Sequence, residues 1–219
     1  MTLPEDGAEG PVLLQQVKNV SRETEQRLTV FHDLLVQWQA RINLIAPSTI
    51  QHIWSRHIVD SVQVYEALGK ADDIVDIGSG AGLPGMIIAI LLAEDGGGRV
   101  HLVESNGKKC AFLNAANRQL GLRDLGVDVT VVNDRIEKAL PKIERPQMIT
   151  ARALASLNDL LRLTAPHLQA GTIGVFPKGR DHELEITEAQ RHWTFDYALQ
   201  PSQLEDGSVL LKISSLKPR

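Results

Sequence analysis

Ile74-Val75-Asp76-Ile77-Gly78-Ser79-Gly80-Ala81-Gly82-Leu83-Pro84-Gly85 decides how this 219-residue chain is read. Ile74 to Ile77 have the character of a buried strand, glycines follow at 78, 80 and 82, and an apolar run from Met86 to Leu92 then has the character of a helix. A strand that turns on glycines into a helix start leaves bare backbone amides facing whatever lies there, because no Cβ stands in the way. Such a loop binds a nucleotide-like cofactor.

Gly80 to Gly85 also satisfies G-x-G-x-x-G, and Glu104 lies about 20 residues on, as a dinucleotide fingerprint requires. Two features favour S-adenosylmethionine instead. Asp76 stands in the strand two residues before the first glycine, where a carboxylate can meet an ammonium and backbone amides but would repel a pyrophosphate. The glycine turn also begins at Gly78, so a dinucleotide register starting at Gly80 is displaced by two residues. Glu104 ends the next strand, where its carboxylate can accept both ribose hydroxyls.

A charged fraction of 23% and a hydrophobic fraction of 43% describe an ordinary globular chain, long enough to bury a full core. No apolar run approaches the roughly 20 residues that span a bilayer, and the N-terminus carries Glu5, Asp6 and Glu9 where a leader would be basic, so a cytoplasmic protein without a membrane partner is expected. The single cysteine, Cys110, excludes an internal disulfide and a cysteine metal cluster, and reads as a small apolar residue on a buried helix face; no metal is expected. A net charge of −4 argues against coating nucleic acid by bulk charge, so any such contact needs a local basic patch.

Along the chain, residues 1 to about 12 carry Pro4, Gly7, Gly10 and Pro11 and read as a mobile start. Ser21 is a candidate N-cap for an amphipathic helix through Leu28, Phe31, Leu34, Leu35, Trp38 and Ile42, and a second helix runs from Ser48 or Thr49 to Leu68. Short apolar runs near 73–77, 99–104, 127–132, 147–151 and 172–176 then alternate with helices near 84–94, 108–120 and 156–168, which means a parallel sheet covered on both faces. Asn133 to Arg145, broken by Pro141, reads as loop with a short turn. After a helix near 181–191, Trp193–Leu199 and Ser208–Ser214 form an antiparallel hairpin. The expected fold is therefore α/β: a class I, Rossmann-like methyltransferase with a seven-stranded, mostly parallel sheet, helices on both faces and a C-terminal hairpin. Residues 1–70 would be a helical extension on the substrate side and residues 71–219 the methyltransferase domain.

Several segments together resemble the bacterial small-subunit ribosomal RNA guanine-N7 methyltransferases, the glucose-inhibited division protein B family. They are Asn43-Leu44-Ile45-Ala46, Arg56-His57-Ile58-Val59-Asp60-Ser61, the glycine loop, Glu104-Ser105 with Lys108-Lys109, Arg135-Ile136-Glu137, Thr150-Ala151-Arg152-Ala153-Leu154-Ala155-Ser156-Leu157 and Lys178-Gly179. Pro177 departs from the pattern without touching the lysine. The resemblance implies methylation of N7 of a guanine in 16S ribosomal RNA or in a small-subunit particle, with S-adenosyl-L-homocysteine as product. It implies cofactor contacts at Gly78 and Leu83, at Ile136 and Glu137, and at Arg152; Asp76, Gly80, Gly82 and Glu104 join them from the reading of the loop.

Arg152 is the first candidate for the reaction, just past the fourth strand at the carboxyl edge where ligands of open parallel sheets collect. Ala151-Arg152-Ala153-Leu154 stands where amino methyltransferases commonly carry an Asn/Asp-Pro-Pro-aromatic tetrad, and Cys110 is not placed to attack a pyrimidine. Guanine N7 has an exposed lone pair, so transfer needs alignment and not a general base, and an arginine on guanine O6 or a phosphate would supply it. Lys178 is the second candidate. Arg56, His57, Lys108, Lys109 and Arg180 are expected to converge with it on a rim that grips RNA phosphates, although an Arg56–Asp60 ion pair and a satisfied buried His57 are the plainer alternatives. A monomer is expected. The rival readings are a methyltransferase on a non-RNA substrate and a non-catalytic, cofactor-binding ribosome- or division-associated module.

Overall fold

The computed structural model describes residues 6–219, with side chains from Gly10 onward. Its centre is a seven-stranded sheet of order β3-β2-β1-β4-β5-β7-β6. The strands are β1 (Asp73–Ile77), β2 (Gly98–Val103), β3 (Val127–Val132), β4 (Met148–Thr150), β5 (Ile173–Lys178), β6 (Trp193–Pro201) and β7 (Val209–Pro218). Strands β1 to β5 are mutually parallel, and β7 inserts antiparallel between β5 and β6. The chain winds outward from β1 to β3 and then restarts beside β1 with β4, pairing Asp76 with Thr150. That reversal opens a crevice at the carboxyl ends of β1 and β4.

Helix α4 (Gly85–Glu94) is apolar all round and buried all round, from Met86 to Leu92, which is the expected fate of a helix without a polar stripe. It lies against the sheet under α2 (Arg22–Gln39) and α3 (Asp60–Leu68), and these share one core with α5 (Gly107–Leu120). Ser21 caps α2 by accepting from Thr24 N at 3.2 Å, and the helix buries Leu28, Phe31, Leu34 and Leu35. The opposite face of the sheet is covered by α7 (Leu157–Gln169) and α8 (His182–Ala189), with Leu160, Leu161 and Ile186 packed on Phe176, Leu211 and Ile213.

The first segment corrects the sequence reading. Residues 6–17 form helix α1 (Asp6–Val17) in place of a mobile start; the first five positions lie outside the described residues. Leu14 is fully buried, and Gly10 lies so close to the Trp54 indole that a Cβ would stand 2.3 Å from its ring. The burial of Leu14 contributes about 2 kcal/mol, enough to dock a helix whose own composition, with Pro11 inside it, is poor. The second correction concerns the stretch from Ser48 or Thr49 to Leu68, read as one helix. The path is helical throughout but changes pitch: 3₁₀ over Pro47–His52, π over Trp54–Val59 and α over α3. The wide π-turn carries Arg56 and His57. Between β3 and β4 the chain makes only α6 (Ile136–Ala139) and a 3₁₀ turn, as the sequence led us to expect.

Candidate functional site

One side of the site is backbone architecture. Gly78 and Gly80 both take positive φ, +66° and +55°, and Ser79 Oγ donates to Asp76 O at 2.8 Å, which fixes the turn. Glu104 stands immediately after β2 and braces the loop: Oε2 accepts from Gly80 N at 2.9 Å and Oε1 from Asn106 N at 2.7 Å. Each carboxylate oxygen keeps lone pairs for further donors. A cleft of about 550 Å³ opens here, lined by Gly78, Gly80, Glu104, Ile136, Glu137 and Arg152. Leu154 reaches over it, its Cδ1 only 2.7 Å from where a Gly78 Cβ would be, and Ala153 turns the chain at φ +51° to aim it there.

Asp76, Gly82 and Leu83 are not on the cleft wall. All three are buried beneath the loop, with Leu83 part of the core. Asp76 Oδ2 accepts from Gly85 N at the start of α4 (3.1 Å), while Oδ1 has no hydrogen-bond partner among the described residues. Burial pushes the Asp76 carboxyl up to about 7, against the pull of the Gly85 amide.

The other side is side-chain architecture. Arg152 follows β4 and reaches into the π-turn, where Nη1 donates to Arg56 O (3.0 Å) and Asp60 Oδ2 (3.2 Å) and Nη2 to His57 Nδ1 (2.9 Å). A guanidinium only donates, so His57 Nδ1 must accept. Nε2 then carries the ring proton toward Thr49 Oγ1 at 2.8 Å, and that hydroxyl donates to Ala46 O. Burial, then the positive Arg152 and Arg56, lower the His57 pKa to about 3, so the ring is neutral. Burial raises Asp60 above the ordinary carboxylate range despite Arg152. The expected Arg56–Asp60 pair is replaced by two longer-range ones, Arg152–Asp60 and Arg56–Glu205, both at 3.2 Å.

Lys178 is not on an open rim. It is 8% exposed, and its Nζ donates to Ala155 O at 3.0 Å and pairs with Glu185 Oε2 at 2.7 Å. The same carboxylate oxygen accepts from Leu157 N at 2.6 Å. Lys178 and Glu185 therefore clamp the 152–157 segment from behind, because β5 ends with this side chain turned into the sheet–helix interface. The basic residues also do not converge on one rim. Lys108 and Lys109 line a polar groove of about 410 Å³ with Arg41, Lys109 also reaching the cofactor cleft, whereas exposed Arg180 sits by the β6–β7 turn with Nε toward Asp206 O at 3.4 Å. Sequence reasoning passed over Arg41, Leu154, Glu185 and Glu205; Arg41 had a detectable signal, a basic residue just past a helix end, and the others had none.

The rRNA small subunit methyltransferase G family model, GidB, matches residues 24–207. The chain belongs to this family. Ribosomal RNA small subunit methyltransferase G of Brucella ovis is 48% identical over 201 residues, covering 92% of each chain, and that of Brucella canis is 47% identical over the same span. Among solved structures, a methyltransferase from Geobacter sulfurreducens has a TM-score of 0.56 at 12% identity, covering 98% of this chain and 99% of its own. The magnesium protoporphyrin IX methyltransferase of Synechocystis with bound S-adenosylmethionine has a TM-score of 0.55 at 11% identity, covering 90% and 100%. The likeness to these two is one of fold, the class I methyltransferase fold.

This GidB-family chain is thus an S-adenosylmethionine-dependent methyltransferase of small-subunit ribosomal RNA. Its cleft fits that cofactor on its own geometry: bare backbone at Gly78 and Gly80, spare lone pairs on Glu104 and an apolar Ile136. Among the described residues no cluster of histidine, cysteine or carboxylate side chains suits a metal, and no helix is long and apolar enough to cross a membrane.

Proposed function

We propose that this protein methylates N7 of one guanine in 16S ribosomal RNA, with Arg152 aligning the base and no side chain acting as general base. The observation that carries this reading is the position of Arg152, which lines the cofactor cleft and is held by three acceptors of the Arg56–Asp60 turn. The two segments most specific to the family resemblance meet there. When bound, S-adenosylmethionine supplies a methyl group on a sulfonium, and S-adenosyl-L-homocysteine remains after transfer. Gly78 and Gly80 would offer bare backbone to that cofactor, Glu104 would accept from its ribose hydroxyls, and Ile136 and Glu137 would hold its adenine. Asp76 balances its cation from beneath, while Gly82 and Leu83 hold the loop in shape.

Arg152 would donate to guanine O6 and leave the N7 lone pair free for the methyl group that the bound cofactor would supply. The positive charge passes to the purine, so no proton has to leave in this step. Lys178 acts through the backbone: by holding Ala155 O it sets where Arg152 emerges. Lys108, Lys109 and Arg41 on one side of the cleft and Arg56 and Arg180 on the other flank the RNA backbone, while His57 acts by holding Arg152. The helices before residue 71 form the acceptor-side wall of a domain that occupies the rest of the chain. One chain supplies both walls, so we infer a monomer, working in the cytoplasm where ribosomal RNA is assembled.

Mapping of N7-methylguanine in 16S RNA from strains with and without the gene tests this, together with transfer by the purified chain to RNA and to small subunits from the deletion strain. One guanine losing its methyl group in the deletion strain and regaining it in vitro is expected. An unchanged pattern would leave a protein that binds the cofactor without this reaction.

A further inference from the structure

A second cavity, of about 260 Å³, shares Arg152 with the cofactor cleft. Two partly buried leucines, Leu13 of α1 and Leu204 of the β6–β7 turn, give it apolar walls, and its polar lining alternates in sign: Arg56 and Arg152 donate, Asp60 and Glu205 accept. The far wall is built, not incidental. The amide of Gln63, 1% exposed, reaches from α3 to the turn: Oε1 accepts from Gln203 N at 2.6 Å, and Nε2 donates to Ser202 Oγ. Ser202 Oγ in turn accepts from Leu204 N and Glu205 N, each at 3.2 Å. A turn about 140 residues away in sequence is thereby locked against the turn that carries Arg56.

We propose that this cavity receives the acceptor guanine and that Glu205 is the residue that reads its Watson–Crick edge. The proposal rests on the guanine-N7 reading above and extends it to recognition. A purine slab needs two apolar faces, which Leu13 and Leu204 offer. Guanine presents O6 as acceptor beside N1–H and the N2 amine as donors, and adenine reverses the first two. Arg152 at O6 and a carboxylate at N1–H and N2 therefore accept guanine and repel adenine. The Glu205 carboxylate is about half exposed and pairs with Arg56, which can turn to a phosphate when the base takes its place. The site also favours the reaction itself. Methylation at N7 makes the purine cationic and N1–H a stronger donor, so a carboxylate at that edge binds the transition state more tightly than the ground state.

The test pairs Glu205→Gln with a substrate change. Small subunits from the deletion strain, reconstituted with guanosine or inosine at the acceptor position, are methylated by wild type and by E205Q. Inosine lacks only the N2 amine. We expect about a tenfold or greater loss of kcat/KM for E205Q on guanosine, about a tenfold inosine penalty for wild type, and a much smaller inosine penalty for E205Q. Cofactor binding by calorimetry should stay within about twofold. Leu204→Trp, which fills the cavity, should lose RNA methylation while still binding the cofactor and melting near the wild-type temperature. An equal inosine penalty in both enzymes, or full turnover by L204W, overturns the assignment while the guanine-N7 reading stands. Failure of wild type to modify any guanine N7 overturns both.

Discussion

The two sides of the site are built by opposite means. On the cofactor side the shape comes from backbone and from neighbours in sequence: positive-φ glycines at 78 and 80, an Asp76 carboxylate under the next helix, and Glu104 one strand away bracing Gly80 N. On the acceptor side nothing is local. Arg152 finds its three acceptors 92 to 96 residues earlier, and Glu205 arrives from the last hairpin to meet Arg56. Backbone cradles tolerate what surrounds them but not a Cβ within them, whereas a side-chain junction tolerates its neighbours' backbones but not the loss of one donor. Substitutions on the two sides should therefore separate binding from transfer.

The largest separation is expected from Arg152→Ala. It removes every donor from Asp60 Oδ2 and His57 Nδ1 and the group that orients the base, so methyl transfer to small subunits should fall at least about 100-fold. Cofactor affinity by calorimetry should change no more than about threefold; an equal loss in both would merge the two sides into one. The converse variant is Gly78→Val. A β-branched residue at φ +66° is strained, and its Cβ would overlap the Leu154 methyl, so cofactor affinity should drop about tenfold or more while saturating cofactor restores much of the rate.

Lys178→Ala should show in stability first. Removing one partner leaves the Glu185 carboxylate and Ala155 O without their cation, and urea unfolding should report a loss of about 2–3 kcal/mol. A transfer rate that falls together with that stability marks the lysine as positioning; a normal fold with no transfer would return it to direct contact with RNA.

The smallest and most diagnostic effects are opposite pH slopes. His57 has its folded pKa near 3, below the ordinary 6.5, so between those values the folded chain holds fewer protons and its stability rises with pH. Asp76, near 7 when folded against an ordinary 3.8, holds its proton longer in the folded state, so its contribution is present at low pH and is lost as pH rises through 7. Each slope is at most about 1.4 kcal/mol per pH unit. Urea unfolding from pH 4 to 8 should give a wild-type-minus-His57→Asn difference that grows with pH to about 6.5, and a wild-type-minus-Asp76→Asn difference that shrinks to about 7. Differences with the same sign would contradict the burial of one of the two groups.

The cofactor half was legible because its signals are short-range. Alternation of strand and helix, the glycine turn and Glu104 after the second strand are patterns of adjacent residues, and the mostly parallel sheet and its closing hairpin followed from them. The first helix was missed because Pro4, Gly7, Gly10 and Pro11 argue locally against order, whereas Leu14 and the contact of Gly10 with Trp54 are tertiary gains that outweigh propensity. Lys178 was misread for a similar reason. Its position after the fifth strand is visible in sequence; that its ammonium turns inward to Ala155 and Glu185 depends on the packing of α8.

By itself, the sequence determined the class I fold, the family and the place of the glycine turn after the first strand, since these are written in periods of two to four residues, in short motifs and in glycines that only certain turns require. The tertiary structure alone decided which basic residues are free and which are held. A guanidinium or an ammonium looks the same in sequence whether it faces water or three acceptors, and only the folded chain brings Asp60, His57, Glu185 and Glu205 within hydrogen-bond reach of the cations they hold.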